Sequence, residues 1–319
     1  MDTTTTPHRS ENHPHAPGAD SAPDQRSPRH GNRLAVPTAP RPRLPAWARA
    51  VLTGLLLLPA ASAGIVLLVI PGFEGLLNRQ DGIGIAAIAA FWTTALIAYL
   101  VISWLLMRLI DRRGFAALGL RIDGRAGVAL LAGMGIALLA GLLTVLITEG
   151  LGVARPAGDV GMDAAPLWMI LAIVVLRSFV LQGIGEEVLF RGYLMQSLAS
   201  RPHVAVWVAA VAFTIPHLLS SGGQQSAVEH LIYLMIPFGF AISAGYLAMA
   251  LGSVWAAVGI HGGFHVAVFV LGAAGFTSDG PWVWATIGML HLLAGLGVAR
   301  LIPAARWAEI RERGVYARG

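Results

Sequence analysis

The sequence predicts an all-α polytopic membrane protein with about eight transmembrane helices, and three observations lead there. Of the 319 residues, 56% are hydrophobic and 12% charged, roughly half the charged share of a soluble domain, and the mean hydropathy is +0.68. Apolar runs close to or beyond ~20 residues recur along the chain, long enough for spanning helices and too long for barrel strands. Arginines fall in alternate loops between these runs, as the positive-inside rule requires. In hydrocarbon the backbone can satisfy its hydrogen bonds only as a helix or a closed barrel, so runs of this length mean helices.

The elements follow in order. Residues 1–45 are polar and rich in Pro, His, Arg, Ser and Thr. They have too little apolar surface to order themselves and read as a disordered cytoplasmic tail; His8, His13, His15 and His30 within it read as solvated rather than metal-binding. The bundle occupies 46–302. Its first run, "RAVLTGLLLLPAASAG", resembles a signal peptide. The preceding region is too long for an n-region, however, and apolarity continues to Ile70, so it reads as a retained helix. Further spans are expected at about 83–110, 126–148, 166–199, 202–220, 230–250, 253–274 and 282–302. Arg41, Arg43 and Arg49 precede the first span, Arg108 to Arg125 separate the second from the third, Arg201 follows the fourth, and Arg300 to Arg318 follow the eighth. The opposite loops hold only Arg79 and Arg155, which places both termini in the cytoplasm. Residues 303–319 read as a cytoplasmic tail or a short interfacial helix.

Composition excludes several chemistries. There is no cysteine, which removes disulfides, thiolate metal sites and cysteine nucleophiles. The net charge of +5 is accounted for by its loop positions, so the partner is the lipid bilayer and not nucleic acid. Every basic residue is arginine, and Ala and Gly abound; this is the composition of a GC-rich bacterial genome, and a bacterial plasma membrane follows as the expected location.

Ionisable residues in hydrocarbon are costly and are functional candidates by default. Here they are Arg177, Glu186, Glu187, Arg191, His217, His261, His265 and His291. Glu186 precedes the Arg201–Pro202 turn, and His217 follows it, by the same number of residues, about 22 Å of helix on each side. An antiparallel hairpin therefore brings them level. His261 and His265 lie about 14 and about 20 Å beyond the turn at Gly252 and, four apart, share one helix face. Glu187 and Arg191 are also four apart, the spacing of a helical ion pair. Glu186 points about 100° away from Glu187. The two acids thus divide: Glu187 pairs with Arg191 and supports structure, while Glu186 is free for chemistry. Arg177 and His291 read as structural.

These residues carry a resemblance. "EEVLFRG" fits the Glu-Glu-x-x-x-Arg motif of the CPBP family, which includes Rce1-type CAAX-processing proteases and bacteriocin-immunity (Abi) proteins. "FTIPH", Phe213 to His217, resembles its Phe-x-x-x-His motif, and "HGGFH", His261 to His265, its third motif. The likeness is strong over about 166–275, and "DRRGFAALGLR" matches weakly. The resemblance implies an eight-helix intramembrane glutamate protease with a water-accessible polar cavity. It assigns catalysis to Glu186, His217, His261 and His265, with Glu187, Arg191 and Phe213 in support. The chain departs from the common pattern at His265, where such proteases usually carry Asn.

The expected chemistry is peptide hydrolysis without a cofactor. Glu186 and His217 polarise a water, and His261 and His265 donate to the oxyanion. The substrate would be a peptide or a membrane-protein tail; no oligomeric state follows. Three alternatives stay open. Glu186, His217, His261 and His265 are also zinc-ligand types for a metal-dependent membrane protease, although HGGFH lacks the Glu that a His-Glu-x-x-His motif uses as base. The same cluster would serve a non-catalytic immunity or maturation partner. Buried acids and imidazoles also make proton relays in transporters, but the chain shows no inverted repeat.

Overall fold

A computed structural model describes residues 41–156 and 165–317. The expected N-terminal tail, with its four histidines, lies outside the described residues as far as residue 40. Among the described residues, eight helices are long and apolar enough to cross a membrane. They are α1 (Ala46–Val69), α2 (Gly82–Ile110), α3 (Gly124–Gly150), α4 (Leu167–Met195), α5 (Pro202–Leu219), α6 (Ala227–Leu251), α7 (Val254–Ala273) and α8 (Pro281–Leu301). A shorter helix, α9 (Ala304–Arg313), follows. No strand occurs among the described residues. The chain is a multi-pass α-helical membrane protein.

Local chemistry sets the helix ends. Asp81 caps α2, its carboxylate accepting from the backbone N–H groups of Ile83 and Gly84 at 3.0 Å each, and Asp123 caps α3 by accepting from Ala126 N–H at 2.9 Å. Each satisfies N–H groups that a helix start leaves unpaired. Gly252 closes α6 at φ +60, a left-handed conformation that suits glycine, and α7 begins two residues later. The fourth span ends at Met195, sooner than expected, because residues 198–200 form the turn that leads to Pro202.

Packing follows membrane rules. On α3 most buried positions are small (Ala126, Ala129, Gly133, Ala137, Ala140 and Gly141), whereas Val128, Leu131, Leu139 and Leu146 are exposed. Lipid tails are as apolar as Leu, so spans associate through small residues that let backbones approach. The partner face is on α7. A Cβ on Gly133 would stand 2.2 Å from the Ala256 carbonyl oxygen, and one on Gly259 2.1 Å from that of Leu130. The α6 and α7 helices are the most buried spans. Around them, α3 packs on α7, α8 and α5 on α6, and α4 on both; α1 and α2 lie outside α4 and α5.

The α4 helix is irregular where it matters. Leu176–Gly183 and Val188–Met195 are wound as π-helix, with one α-helical turn, Ile184–Glu187, between them. Wide turns of this kind recur at functional sites. At the end of the bundle holding the α4–α5 turn, Arg49 is buried. Its Nη1 donates to the Ser197 carbonyl at 2.8 Å and to Ser197 Oγ, and it lies 3.7 Å from Asp111. Just beyond α2, burial pushes the Asp111 carboxyl up from its ordinary range, against the opposing Ser197 hydrogen bond and the Arg49 and Arg113 charges. A residue that reads as a loop charge is therefore an internal tie between α1 and α4.

Candidate active site

The site is assembled from three helices. The α-helical turn of α4 carries Glu186 and Glu187, so the angular separation of adjacent α-helical residues holds between them. Arg191, four residues on, enters the following π-wound stretch and donates from Nη1 to Glu187 Oε1 at 2.9 Å. Both side chains are fully buried. Glu187 has a second partner: His261 on α7 bonds the same oxygen through Nδ1 at 2.9 Å. Glu187 thus joins α4 to α7 as well as holding Arg191.

A carboxylate bonded to Arg accepts only, so His261 Nδ1 is the donating nitrogen and Nε2 alone is left for other work. The same logic applies to His217. On α5, Pro216 carries no N–H, and the helix finishes as a 3₁₀ turn over Ile215–Leu219. His217 Nδ1 lies 2.8 Å from the Phe213 carbonyl oxygen. A carbonyl cannot donate, so Nδ1 bears the hydrogen, and Nε2 is the acceptor of the neutral ring.

Phe213 is the hub of the packing. The Arg191 guanidinium stands 5.0 Å above its ring, a cation–π contact. The His217 ring centroid is 4.6 Å away and that of His261 6.0 Å. His265, one turn along α7, lies 5.3 Å from His261 between centroids. His261 is within Coulombic reach of Glu186, His217 and His265 alike. Glu186, Glu187, Arg191, Phe213 and His261 are buried, whereas His217 and His265 are partly exposed.

Several neighbours are not marked by any motif. Phe240 on α6 packs on His261, with centroids 4.8 Å apart. Tyr99 on α2 is within Coulombic reach of Glu186, and its ring occupies the space beside Gly185, where a Cβ would come within 2.4 Å. Tyr316 donates to the Arg191 carbonyl at 2.9 Å. Only Phe240 shows a faint signal in sequence, as an aromatic in a mid-span glycine-rich stretch. His291 stands apart: its Nδ1 lies 3.1 Å from Ser243 Oγ on α6. Arg177 is exposed on α4 and within Coulombic reach of His265.

Among the described residues, no three His, Asp or Glu side chains are placed to hold a metal ion together, so the zinc arrangement finds no ready ligand set. The arrangement present is a carboxylate, Glu186, beside imidazoles whose Nδ1 atoms are engaged at two of three positions. That is the equipment for moving protons and stabilising an oxyanion in a water-poor site.

No curated protein matches the chain. Residues 167–267, from the start of α4 into α7, include all seven candidate residues and match the family model described as type II CAAX prenyl endopeptidase Rce1-like. Over this stretch, about a third of the chain, the sequence is similar to the Rce1-like type II CAAX prenyl endopeptidases.

Proposed function

We propose that this chain is an intramembrane endopeptidase hydrolysing a peptide or a membrane-protein tail, with Glu186 as the general base. The observation that carries the reading is the placement of Glu186, His217 and His265 around one imidazole, His261, inside an apolar bundle. Ionisable groups are expensive there, and three gathered around a fourth point to chemistry rather than to packing.

Water held between Glu186 and His217 Nε2 attacks the scissile carbonyl carbon, and Glu186 takes the proton that the water gives up. The carbonyl oxygen becomes an oxyanion, which His261 Nε2 and His265 stabilise by donating to it. His261 donates from Nε2 when its ring is protonated, because Nδ1–H is already engaged with Glu187. As the carbon–nitrogen bond breaks, the proton on Glu186 passes to the leaving amine. Glu187 and Arg191 hold His261 in place. His265 replaces the usual amide donor with an imidazole able to serve the same oxygen in the right tautomer. No metal enters this reaction.

The arginine distribution supports a bacterial plasma membrane with both termini in the cytoplasm. Comparative peptidomics of membranes with wild-type, Glu186→Gln and His217→Ala protein tests the reading. Cleavage products should be absent from both variants and should persist in the wild type when a chelator is present. Products that survive in the Glu186→Gln membranes end the proposal, and products lost to chelation revive zinc.

A further inference from the structure

After α9 the chain does not leave the bundle. It turns at Gly314, φ +96, and inserts Val315 and Tyr316 among buried residues of the core. Val315 N–H donates to Gln196 Oε1 at 2.7 Å, immediately beyond the π-wound end of α4. Arg306 fastens the segment from the other side: Nε donates to the Met249 carbonyl at 3.0 Å and Nη2 to the Val315 carbonyl at 2.5 Å. The Tyr316 ring covers Gly119, where a Cβ would come within 2.5 Å of it. Gly119 has φ +78, so this seat needs glycine for conformation and for space alike.

The hydroxyl of Tyr316 then donates to the Arg191 carbonyl. From there the linkage runs inward: Arg191 Nη1 to Glu187 Oε1, and Glu187 Oε1 to His261 Nδ1. Two further atoms of Arg191, Nε and Nη2, are buried without a hydrogen-bond partner. The guanidinium is therefore fixed by one hydrogen bond, by Phe213 beneath it and by the position of its own backbone. That backbone lies in a π-wound stretch, a winding that needs support from its surroundings.

We propose that the C-terminal strap Gly314–Tyr316 is part of the active-site framework, and that Tyr316 is a positioning residue. Its hydroxyl sets the π-wound backbone at Arg191, and through Arg191 and Glu187 it sets His261. The proposal rests on the peptidase reading for its effect on turnover, but its structural half stands without it. A displacement of the strap is transmitted to His261 through three hydrogen bonds.

The experiment uses full-length protein in lipid nanodiscs. Tyr316→Phe keeps the ring over Gly119 and removes only the hydroxyl; Tyr316→Ala removes both. Amide hydrogen exchange by mass spectrometry is read across α4 and α7, together with melting temperature and the cleavage of dye-labelled casein. In Tyr316→Phe, amides of 188–196 should exchange about 5- to 10-fold faster, as loss of one buried hydrogen bond implies, with α3 and α8 unchanged. The kcat for casein should fall by a similar factor at constant KM. Unchanged exchange over 188–196, or uniform acceleration through the whole bundle, overturns the proposal. If Glu186→Gln cleaves casein as fast as wild type, or wild type does not cleave it, the peptidase reading loses support, while the exchange result still decides the role of the strap.

Discussion

Replacing Arg191 by Met is the most informative single change in the framework of the site. Arg191 and Glu187 are fully buried and 2.9 Å apart. At an effective dielectric of ~20 their attraction is about 6 kcal/mol, and it offsets the several kcal/mol that each ion loses on leaving water. The intact pair therefore adds little net stability. Arg191→Met removes the attraction and leaves the buried Glu187 charge with only His261 beside it, at a cost of about 3–5 kcal/mol. Loss of the cation–π contact with Phe213 adds about 1 kcal/mol. Glu187→Gln in the same chain removes the stranded charge and keeps an oxygen to accept from His261, so the double variant should recover at least half of the loss. The assay is reversible unfolding in mixed micelles, followed by tryptophan fluorescence, with the four proteins of the double-mutant cycle compared. A single variant within about 1 kcal/mol of wild type, or additive effects in the double, would refute the reasoning.

Three other predictions concern packing, capping and the α1–α4 tie. Gly259→Ala forces α3 and α7 apart and should cost about 1–3 kcal/mol, whereas Gly135→Ala, with nothing within 4 Å of its added methyl, should be neutral or stabilising by up to ~1 kcal/mol; the same unfolding assay compares them. The Asp81 carboxyl is held at about 2 by its hydrogen bonds to Arg79 and to the Gly84 amide. Because the folded value is depressed, its stabilising effect is complete above the ordinary value near ~4 and is lost as pH falls toward 2. The melting difference between wild type and Asp81→Ala should therefore be present at pH 7 and shrink steadily below pH 4; a pH-independent difference contradicts the assignment. Arg49→Met should lower stability by about 3 kcal/mol by removing the Arg49 partner of the buried Asp111, and Asp111→Asn should restore most of that loss in the same measurement.

The parts legible in sequence are those coded by length and short spacing. Eight apolar runs locate eight spans because a bilayer sets a minimum helix length. The Glu187–Arg191 pair is legible because residues four apart meet on a helix. The Glu187–His261 bond joins residues 74 apart in sequence, and no local pattern signals it. Two acids read as a structural one and a chemical one are for this reason less separate than they look: Glu187 also orients an imidazole of the site. Tyr99 carries no sequence signal, and Phe240 only a faint one, because an aromatic in a span looks the same whether it faces lipid, core or site. The π winding of α4 has no sequence period that distinguishes it from ordinary helix. Val315 and Tyr316 carry no sequence signal, because two residues after an amphipathic helix are too few to show a pattern.

The central claim is that Glu186 activates the water that cleaves a peptide bond. Its most direct measurement is cleavage by purified protein, reconstituted in vesicles, of a substrate identified from wild-type membranes, with Glu186→Gln alongside. Gln keeps the size of the side chain and cannot take the proton. Loss of activity by at least about 100-fold, with unfolding stability unchanged or raised, is the result the account predicts. Cleavage by Glu186→Gln at the wild-type rate would contradict it.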